Sequence, residues 1–343
     1  MAKNSNLSAA KNAKKDEFYT QLVDIENELK HYREHFRGKT VLCNCDDPRV
    51  SNFFHYFAYS FEHLGLKRLI TTCYKNQDMN LFSQNDSERA IWLEYTGDKD
   101  GNRVPDPEEI GIHYLEGDGD FRSAECIELL KQADIVVTNP PFSLFREYVA
   151  QLVEYGKKFL IIGNVNAITY KEIFPLIKEN KLWMGRSIHS GDREFGVPND
   201  YPLKAAGCRV DEKGKKFIRV KGVRWFTNLD YKERHEDLIL YKSYSPEEYP
   251  RYDNYDAINV DKTSDIPYDY DGVMGVPITF LDKYNPEQFE IIWQASGNTR
   301  ASAPVDILRQ LNYRQHPEDR GGCTVINGRR TYGRILIKHK LEH

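Results

Sequence analysis

Short apolar runs alternate with segments of helical spacing over residues 22–184. Runs such as Ile135-Val136-Val137 are continuous, which is typical of parallel strands covered on both faces. The pattern predicts strands at 40–45, 68–73, 113–115, 135–139, 158–162 and 182–184, and helices at 22–36, 52–65, 124–132, 143–155 and 170–179. Strands that alternate with helices of this length predict an α/β fold with a mostly parallel sheet and helices on both faces.

The pattern changes after Gly185. Residues 186–222 have weak periodicity, and strand-like runs return at 223–228 and 276–281, the second followed by a helical pattern at 287–293. A polar stretch at 74–110 is predicted to be an excursion from the core. We predict three parts, namely a flexible basic arm at 1–15, a core at 16–185, and a region at 186–343 from which strands return to the core sheet near 223–228 and 276–293.

Composition narrows the class of protein. At 343 residues, 40% hydrophobic and 13% aromatic, the chain can bury a full core. It has neither an apolar run of membrane-spanning length nor a signal-peptide pattern, so we expect a cytoplasmic protein. Six cysteines lack disulfide-framework and zinc spacing, and we predict reduced thiols and no metal site. A net charge of -4 argues against indiscriminate nucleic-acid binding.

A stiff corner follows one of the predicted strands. Asn139-Pro140-Pro141-Phe142 stands at the carboxyl end of that strand, the edge at which open α/β sheets bind their ligands. One interpretation is a loop that only ends the strand, because proline lacks the amide that a central strand must donate. The other interpretation is catalytic.

The catalytic interpretation concerns an exocyclic amine of adenine, which is a poor nucleophile because its lone pair is delocalised into the ring. If the Asn139 side-chain oxygen and the Pro140 main-chain oxygen each accept one hydrogen from the amine, its lone pair can point at an incoming methyl group. The fixed φ angles of Pro140 and Pro141 would hold the acceptors in place before the reaction. Phe142 would stack on the base, which must first be extruded from a duplex.

The corner resembles the catalytic motif of amino-DNA methyltransferases. Five further stretches resemble the EcoRI family of adenine-specific DNA methyltransferases: DEFYT (16–20), CNCDDPRVSNFF (43–54), GDGDFRS (117–123), KKFLIIGNVNAITYKE (157–172) and YDNYDAINV (252–260). The resemblance covers nearly the whole chain and is weakest at 76–112, 186–222 and 294–330. It implies a Rossmann-like S-adenosylmethionine-dependent methyltransferase core with an inserted target-recognition region.

The resemblance also implies an activity. A methyl group would pass from S-adenosylmethionine to the N6 of a flipped-out adenine in double-stranded DNA. The enzyme would be the modification half of a restriction-modification system with GAATTC as its site. It would act as a monomer, separately from a cognate restriction endonuclease.

The cofactor contacts implied by the resemblance come from Phe18, Tyr19, Thr20, Asn44, Asp46, Asp118, Asp120 and Phe121. The turn at 43–48 would lie near the methionine or ribose part, but it lacks the glycine that is usual in this class. A carboxylate of Asp118 or Asp120 would accept from the cofactor's adenine amino group, and Phe121 would stack on its ring. The alternative for this acidic turn is a calcium-like or purely structural loop. Segment 18–20 would close over the methionine end.

Two basic segments are candidates for DNA contact. Residues 204–224 hold eight Lys or Arg against two acids, and residues 294–330 hold six Arg against three acids. Such segments could supply phosphate contacts and groove readout, although a charge run is commonly only a solvated face. The individual candidates are Arg186, His189, Arg193, Lys215, Lys216, Arg219 and Arg224.

Two other functions fit part of the pattern. RNA amines and glutamine side-chain amides are methylated at similar Asn-Pro-Pro-aromatic corners, and a DNA-binding module without catalysis would share the basic segments. The intact corner at 139–142 argues against the second alternative, and the near whole-chain resemblance favours DNA over the first.

Overall fold

The computed structural model describes residues 18–45, 51–72, 90–102, 104–106, 108–198, 201 and 207–340. The chain forms two compact units, of which unit 1 consists of Met1–Val165 and Gly185–Asp230 and unit 2 of Asn166–Met184 and Tyr231–His343. The predicted arm at 1–15 lies outside the described residues. In the described part of the chain, no helix is long and apolar enough to cross a membrane.

The strands, numbered along the chain, are β1 (Tyr19–Thr20), β2 (Thr40–Cys43), β3 (Arg68–Thr72), β4 (Ile91–Tyr95), β5 (Gly111–Tyr114), β6 (Ile135–Thr138), β7 (Lys158–Asn164), β8 (Trp183–Met184), β9 (Asp192–Val197), β10 (Arg209–Val210), β11 (Lys216–Lys221), β12 (Val223–Thr227), β13 (Ile258–Asn259), β14 (Met274–Pro277), β15 (Phe289–Ala295), β16 (Val325–Ile326), β17 (Arg329–Arg330) and β18 (Arg334–His339).

The α-helices are α1 (Leu22–Leu29), α2 (Arg33–Phe36), α3 (Asn52–Tyr59), α4 (Phe61–Leu64), α5 (Ala124–Gln132), α6 (Phe145–Glu154), α7 (Phe174–Lys178), α8 (Thr299–Ser302) and α9 (Val305–Gln310). Short 3₁₀ helices occur at Phe142–Leu144, Val165–Thr169, Lys232–His235, Thr263–Asp265 and Ile278–Lys283. Helix α5 has the predicted bounds, and Ser123 caps it by accepting from the backbone N–H of Cys126 at 3.3 Å. The helix predicted at 22–36 is divided into α1 and α2.

The main sheet of unit 1 has the strand order β5-β4-β3-β2-β6-β7-β12 among the described residues. Its four central strands, from β3 to β7, pair in parallel, and every residue of β2 and β6 is buried. At the edges β4, β5 and β12 run antiparallel to their neighbours. The predicted α/β fold with a Rossmann-like parallel centre is confirmed. Strand β4 was missed because it is half exposed and lies within the polar stretch at 74–110.

The order of the strands reverses at β2. From β2 the chain passes to β3 on one side, and it later places β6 on the other side, with Val41 opposite Ile135 and Leu42 opposite Val136. The carboxyl ends of β2 and β6 therefore open side by side. At such a switch point, open α/β sheets have a crevice that binds ligands.

A second sheet of unit 1 has the order β1-β9-β11-β10 and is antiparallel throughout. Strand β1 pairs Tyr19 with Gly196 and Thr20 with Phe195. Strands β10 and β11 form a hairpin within the basic segment at 204–224. This small sheet therefore contains both β1, which precedes β2 in the chain, and part of the basic segment at 204–224 that is predicted to contact DNA.

Unit 2 contains a separate sheet of order β13-β14-β18-β15 and the β16–β17 hairpin. The predicted return of 223–228 to the main sheet is confirmed, since β12 pairs with β7. The predictions for 276–281 and 287–293 were wrong, because β14 and β15 both pair with β18 and the second segment is a strand. The buried run Ile291-Ile292-Trp293 is short and rich in β-branched and aromatic residues, which favours a strand over a helix. The functional division at residue 185 stays a prediction.

Gly163 in β7 allows α6 to start directly against the sheet. A Cβ at this position would lie 2.5 Å from Cε2 of Phe145 and 2.9 Å from Cε2 of Phe226. The two rings also pack on each other, with centroids 5.0 Å apart. Because Phe145 is the first residue of α6 and follows the 139–142 corner, this packing fixes where the corner leaves the sheet.

Replacing Gly163 by Ala should therefore destabilise unit 1 by about 1–3 kcal/mol, because the added methyl group forces both rings to move. Urea unfolding of wild type and variant measures the difference. Gly333→Ala is the matched control, since its Cβ would meet only ordinary contacts, Ile278 Cδ1 at 3.5 Å and the Ala295 carbonyl oxygen at 3.8 Å. An unchanged unfolding midpoint for Gly163→Ala would contradict this account of the packing.

Candidate active site

The Asn-Pro-Pro-Phe corner leaves the core in a defined order. Asn139 and Pro140 are buried, whereas Pro141 and Phe142 are partly exposed. The N–H of Leu144 then donates to the Pro141 carbonyl at 3.0 Å, which closes a 3₁₀ turn ahead of α6. The corner thus presents its asparagine inside the crevice and its aromatic ring at the mouth.

The Asn139 amide has a fixed orientation and a vacant acceptor. Its Nδ2 donates to the carbonyl oxygen of Phe18 at 2.5 Å, so its Oδ1 faces the other way. Asn139 is 5% exposed, and Oδ1 has no hydrogen-bond partner among the described residues. A buried acceptor without a partner costs about 1–3 kcal/mol, which a ligand N–H can offset. Asn139 Oδ1 can therefore accept a hydrogen bond from a bound group.

Phe18 supports the corner in two ways. Its carbonyl orients Asn139, and its buried ring meets Phe142 edge-on, with centroids 5.7 Å apart and an interplanar angle of 73°. On its other side the Phe18 ring packs against Phe195 of β9 at 5.9 Å. Sequence reasoning placed Phe18 at the cofactor, and the structure adds contacts that position the corner.

Thr20 supplies a second buried oxygen without a partner. The residue is 2% exposed, and its Oγ1 has no hydrogen-bond partner among the described residues. Its backbone oxygen accepts from Nδ2 of Asn52, the first residue of α3, at 2.7 Å. Segment 18–20 therefore runs from the Asn-Pro-Pro-Phe corner to α3, the helix that follows β2. The neighbouring Tyr19 is half-buried.

Asn44 joins the end of β2 to α6 and to β6. Its Oδ1 accepts from the hydroxyl of the buried Tyr148, and its backbone oxygen accepts from the hydroxyl of Thr138. Burial is the main cause that raises the pKa of Tyr148 well above its ordinary value, so the phenol stays a donor. Cys45 has φ of 80°, the left-handed region that glycine ordinarily occupies, which shows how the turn dispenses with glycine. Asp46 lies outside the described residues.

The acidic turn after β5 is organised by Arg122, which the sequence reasoning did not single out. Its Nε and Nη2 donate to the two carboxylate oxygens of Asp120 at 2.9 and 2.6 Å. Its Nη1 donates to Glu147 of α6 at 3.0 Å. Asp118 is exposed, and its Oδ1 accepts from the Asp120 N–H at 3.0 Å. Phe121 is buried and meets Tyr148 edge-on at 5.0 Å, so the turn reaches the same helix as Asn44.

The loop at 185–189 is held by a buried glutamate that sequence reasoning also missed. Glu28 of α1 is fully buried and accepts from the backbone N–H groups of Arg186 and Ser187 at 2.7 and 2.6 Å. Gly185 is required here, because a Cβ would lie 2.3 Å from the Glu28 carboxylate. The Arg186 guanidinium is 3.1 Å from Nε2 of His189, so these two DNA-contact candidates lie together.

Two other arginine candidates have structural partners. Arg224 is 5% exposed and donates to the carbonyl oxygens of Val223 and His189. It therefore supports the His189 loop rather than presenting a charge at the surface. Arg193 is half-buried, and its Nε lies 3.7 Å from a carboxylate oxygen of Asp24. The sequence shows that these residues are positively charged, but it does not show that their side chains are buried or half-buried against protein partners.

The β10–β11 hairpin exposes basic groups. Lys215 in its turn and Arg219 on β11 are exposed, whereas Lys216 is half-buried and donates to the Tyr201 carbonyl at 3.3 Å. Arg219 lies opposite Glu194 on β9, and Arg209 also donates to that carboxylate, at 2.8 and 2.5 Å. In unit 2, all six arginines of 294–330 are exposed: Arg300, Arg309, Arg314, Arg320, Arg329 and Arg330.

Comparison with known proteins identifies the family. A family model described as "Adenine-specific methyltransferase EcoRI" matches residues 6–340. The chain belongs to this family, so the predicted resemblance and the predicted class of enzyme are confirmed.

Three relatives match nearly end to end. Type II methyltransferase M.EcoRI of Escherichia coli is 52% identical over 341 residues, which are 99% of this chain and 98% of that protein. Type II methyltransferase M.MpnI of Mycoplasma pneumoniae is 40% identical over 96% of this chain and 97% of its own length. Type II methyltransferase M.MgeORF184P of Mycoplasma genitalium is 39% identical over 97% and 98%.

The Arg122 contact predicts a pH dependence. Side-chain hydrogen bonds from Arg122 are the main cause that holds the pKa of Asp120 below its ordinary 3.8. A carboxyl with a lowered pKa in the folded state stabilises the fold above its ordinary pKa, and the contribution is lost as pH falls through the lowered value. Arg122→Gln should therefore lower the free energy of unfolding at neutral pH. The difference from wild type should shrink as the pH falls below 3.8, the ordinary pKa of an aspartate.

Chemical unfolding across the acidic range measures this deficit. Glu147→Gln is the control, because it removes the other, more exposed carboxylate partner of Arg122. It should leave the pH dependence of the unfolding free energy nearly unchanged. A deficit that is constant with pH would show that Asp120 and Arg122 are not coupled as described.

Proposed function

We propose that this methyltransferase transfers a methyl group from S-adenosylmethionine to the N6 of an adenine flipped out of double-stranded DNA. The observation that carries the proposal is the buried Asn139 Oδ1, which is oriented by the Phe18 carbonyl and has no partner among the described residues. An amine with two hydrogens is a suitable donor to it. The whole-length similarity to Type II methyltransferases supports DNA as the polymer.

The corner would act by positioning two acceptors. Asn139 Oδ1 and the Pro140 carbonyl would each accept one hydrogen of the target amine and turn its lone pair towards the methyl donor. The edge of Phe18 holds the Phe142 ring, so that one face of Phe142 can stack on the extruded base. Because these groups are fixed before the substrate arrives, little reorganisation is needed during methyl transfer.

The residues around the switch point fit S-adenosylmethionine, which when bound would supply an electrophilic methyl group. Thr20 Oγ1 is a buried oxygen without a described partner, as expected of a group that bonds the polar methionine end. Phe121 would pack on the adenine ring. Asp118 has an exposed carboxylate, while both oxygens of Asp120 already bond Arg122, so we assign the adenine amino contact first to Asp118. Asn44 would contribute its amide nitrogen, and Tyr19 would close over the methionine end.

DNA would be held by basic groups that are exposed in each unit. In unit 1 we assign phosphate contacts to Lys215 and Arg219 and base contacts to the Arg186–His189 loop. We further propose that the site is GAATTC, that the protein acts as a monomer, and that a cognate endonuclease acts separately.

The substrate class is tested with labelled S-adenosylmethionine offered to a duplex containing GAATTC, the same duplex with the site scrambled, a matched RNA, and a glutamine-bearing protein. We expect the labelled methyl group to be incorporated only into the duplex that contains GAATTC, as N6-methyladenine. Incorporation into RNA or protein alone would reject DNA as the substrate, and equal labelling of both duplexes would reject the site.

Asn139→Ala should lower the rate of methyl transfer at least about a hundredfold, because it removes one preorganised acceptor. Binding of S-adenosylmethionine, measured by calorimetry, should change little. Asn139→Asp retains an acceptor oxygen and should keep more activity than Asn139→Ala. Near-normal turnover by Asn139→Ala would reject the role of the corner.

Replacing Lys215 and Arg219 together by neutral residues should make DNA binding less sensitive to salt. The slope of the logarithm of DNA affinity against the logarithm of salt concentration should fall by about 0.9 for each phosphate that the variant no longer neutralises. Arg37 and Lys131 form the matched control pair, since both are exposed and lie near the amino ends of β2 and β6, opposite the crevice. An unchanged slope for the test pair, or an equal change for the control pair, would assign the hairpin charges to a solvated face.

A further inference from the structure

The loop between β4 and β5 carries oxygen ligands at the spacing of a calcium-binding loop, and we propose that it binds one Ca²⁺. In the 12-residue EF-hand loop, ligands come from positions 1, 3, 5, 7, 9 and 12, with a backbone carbonyl at position 7 and a glutamate at position 12. The corresponding residues are Asp98, Asp100, Asn102, Val104 (by its carbonyl), Asp106 and Glu109.

The fold brings the two ends of this loop together. The ligand atoms of Asp98, Asp100 and Glu109 lie within 4.8 Å of one another, although Asp98 and Glu109 are far apart along the loop. Such a group can surround one cation. Arg103 and Pro107, at the sixth and tenth positions, lie outside the described residues, whereas each of the proposed ligand residues is described.

Glu109 gives an independent reason to expect a ligand. Its side chain reaches back to the start of the loop, where Oε1 accepts from the Lys99 N–H, and the residue is only 6% exposed. Its other carboxylate oxygen, Oε2, has no hydrogen-bond partner among the described residues. A buried carboxylate oxygen beside two further carboxylates is unfavourable unless a donor or a cation meets it.

The surroundings are electrostatically consistent with a cation site. Burial first, and then the negative charges of Glu109, Asp98 and other carboxylates nearby, raise the pKa of Tyr95 to about 12. Tyr95 ends β4 immediately before the loop. A bound divalent cation would neutralise part of this charge and connect β4 to β5 at the edge of the main sheet.

The donor set favours Ca²⁺ over other metals. Every proposed ligand is an oxygen, which argues against zinc, and several ligands on one irregular loop suit the flexible coordination of Ca²⁺ better than the strict octahedron of Mg²⁺. The loop differs from an EF-hand in two respects. Its left-handed glycine, Gly101 with φ of +83°, is at the fourth position rather than the sixth, and strands rather than helices flank it.

Calorimetry on the full-length protein, treated first with a chelator, tests the proposal with CaCl₂ and MgCl₂ as titrants. We expect one Ca²⁺ to bind with a dissociation constant below about 1 mM, and Mg²⁺ to bind more weakly. Thermal unfolding should show a higher midpoint with Ca²⁺. Neither measurement depends on methyl transfer or on DNA, so the outcome is separate from that of the proposed function.

Asp100→Asn should weaken Ca²⁺ binding at least tenfold, because it removes one ligand charge at an exposed position where folding is not at risk. Glu108→Gln is the matched control, since Glu108 is exposed at the eleventh, non-ligand position of the same loop. Absence of Ca²⁺ binding at millimolar concentration, equal binding by Asp100→Asn, or an equal loss in Glu108→Gln would overturn the site. Mg²⁺ binding as tight as that of Ca²⁺ would overturn the assignment to calcium.

Discussion

The hydrogen bond from Asn139 Nδ2 to the Phe18 carbonyl is the contact on which the candidate active site depends. An asparagine amide has one acceptor and two donors at similar positions, and only its partners decide which faces the crevice. The Phe18 carbonyl can only accept, so it selects the nitrogen and turns the oxygen inward. The Phe18 carbonyl, immediately before β1, therefore fixes which atom of the Asn139 amide is left to accept a hydrogen bond from a bound group.

The same contact connects the corner to the rest of unit 1. Phe18 precedes β1, which pairs with β9 of the smaller sheet, and that sheet also carries the exposed basic hairpin. The hydrogen bonds that link Thr138, Asn44 and Tyr148 also join β6, β2 and α6 around the switch point. Strand β1 is therefore the short link between the sheet that carries the basic hairpin and Asn139.

Much of this arrangement follows from local sequence, and part of it does not. The continuous apolar runs at 40–45 and 135–139 predict buried parallel strands, and two prolines after Asn139 predict a rigid corner at a strand end. The Phe18–Asn139 bond joins residues 121 positions apart, and Glu28 bonds a loop 158 positions away. The periodicity of apolar residues along the sequence does not predict hydrogen bonds between residues so far apart in the chain. Arg224 shows the converse, since a charged residue in a basic segment proved to be a buried support for neighbouring carbonyls.

The most direct test of the central claim is a crystal structure of the protein with the product S-adenosylhomocysteine and a duplex that contains the target adenine. The account predicts an extruded adenine whose N6 lies about 2.7–3.2 Å from both Asn139 Oδ1 and the Pro140 carbonyl oxygen. Asn139 Nδ2 should remain bonded to Phe18. An adenine still stacked in the duplex, or an extruded adenine whose N6 lies out of reach of Asn139 Oδ1, would contradict it.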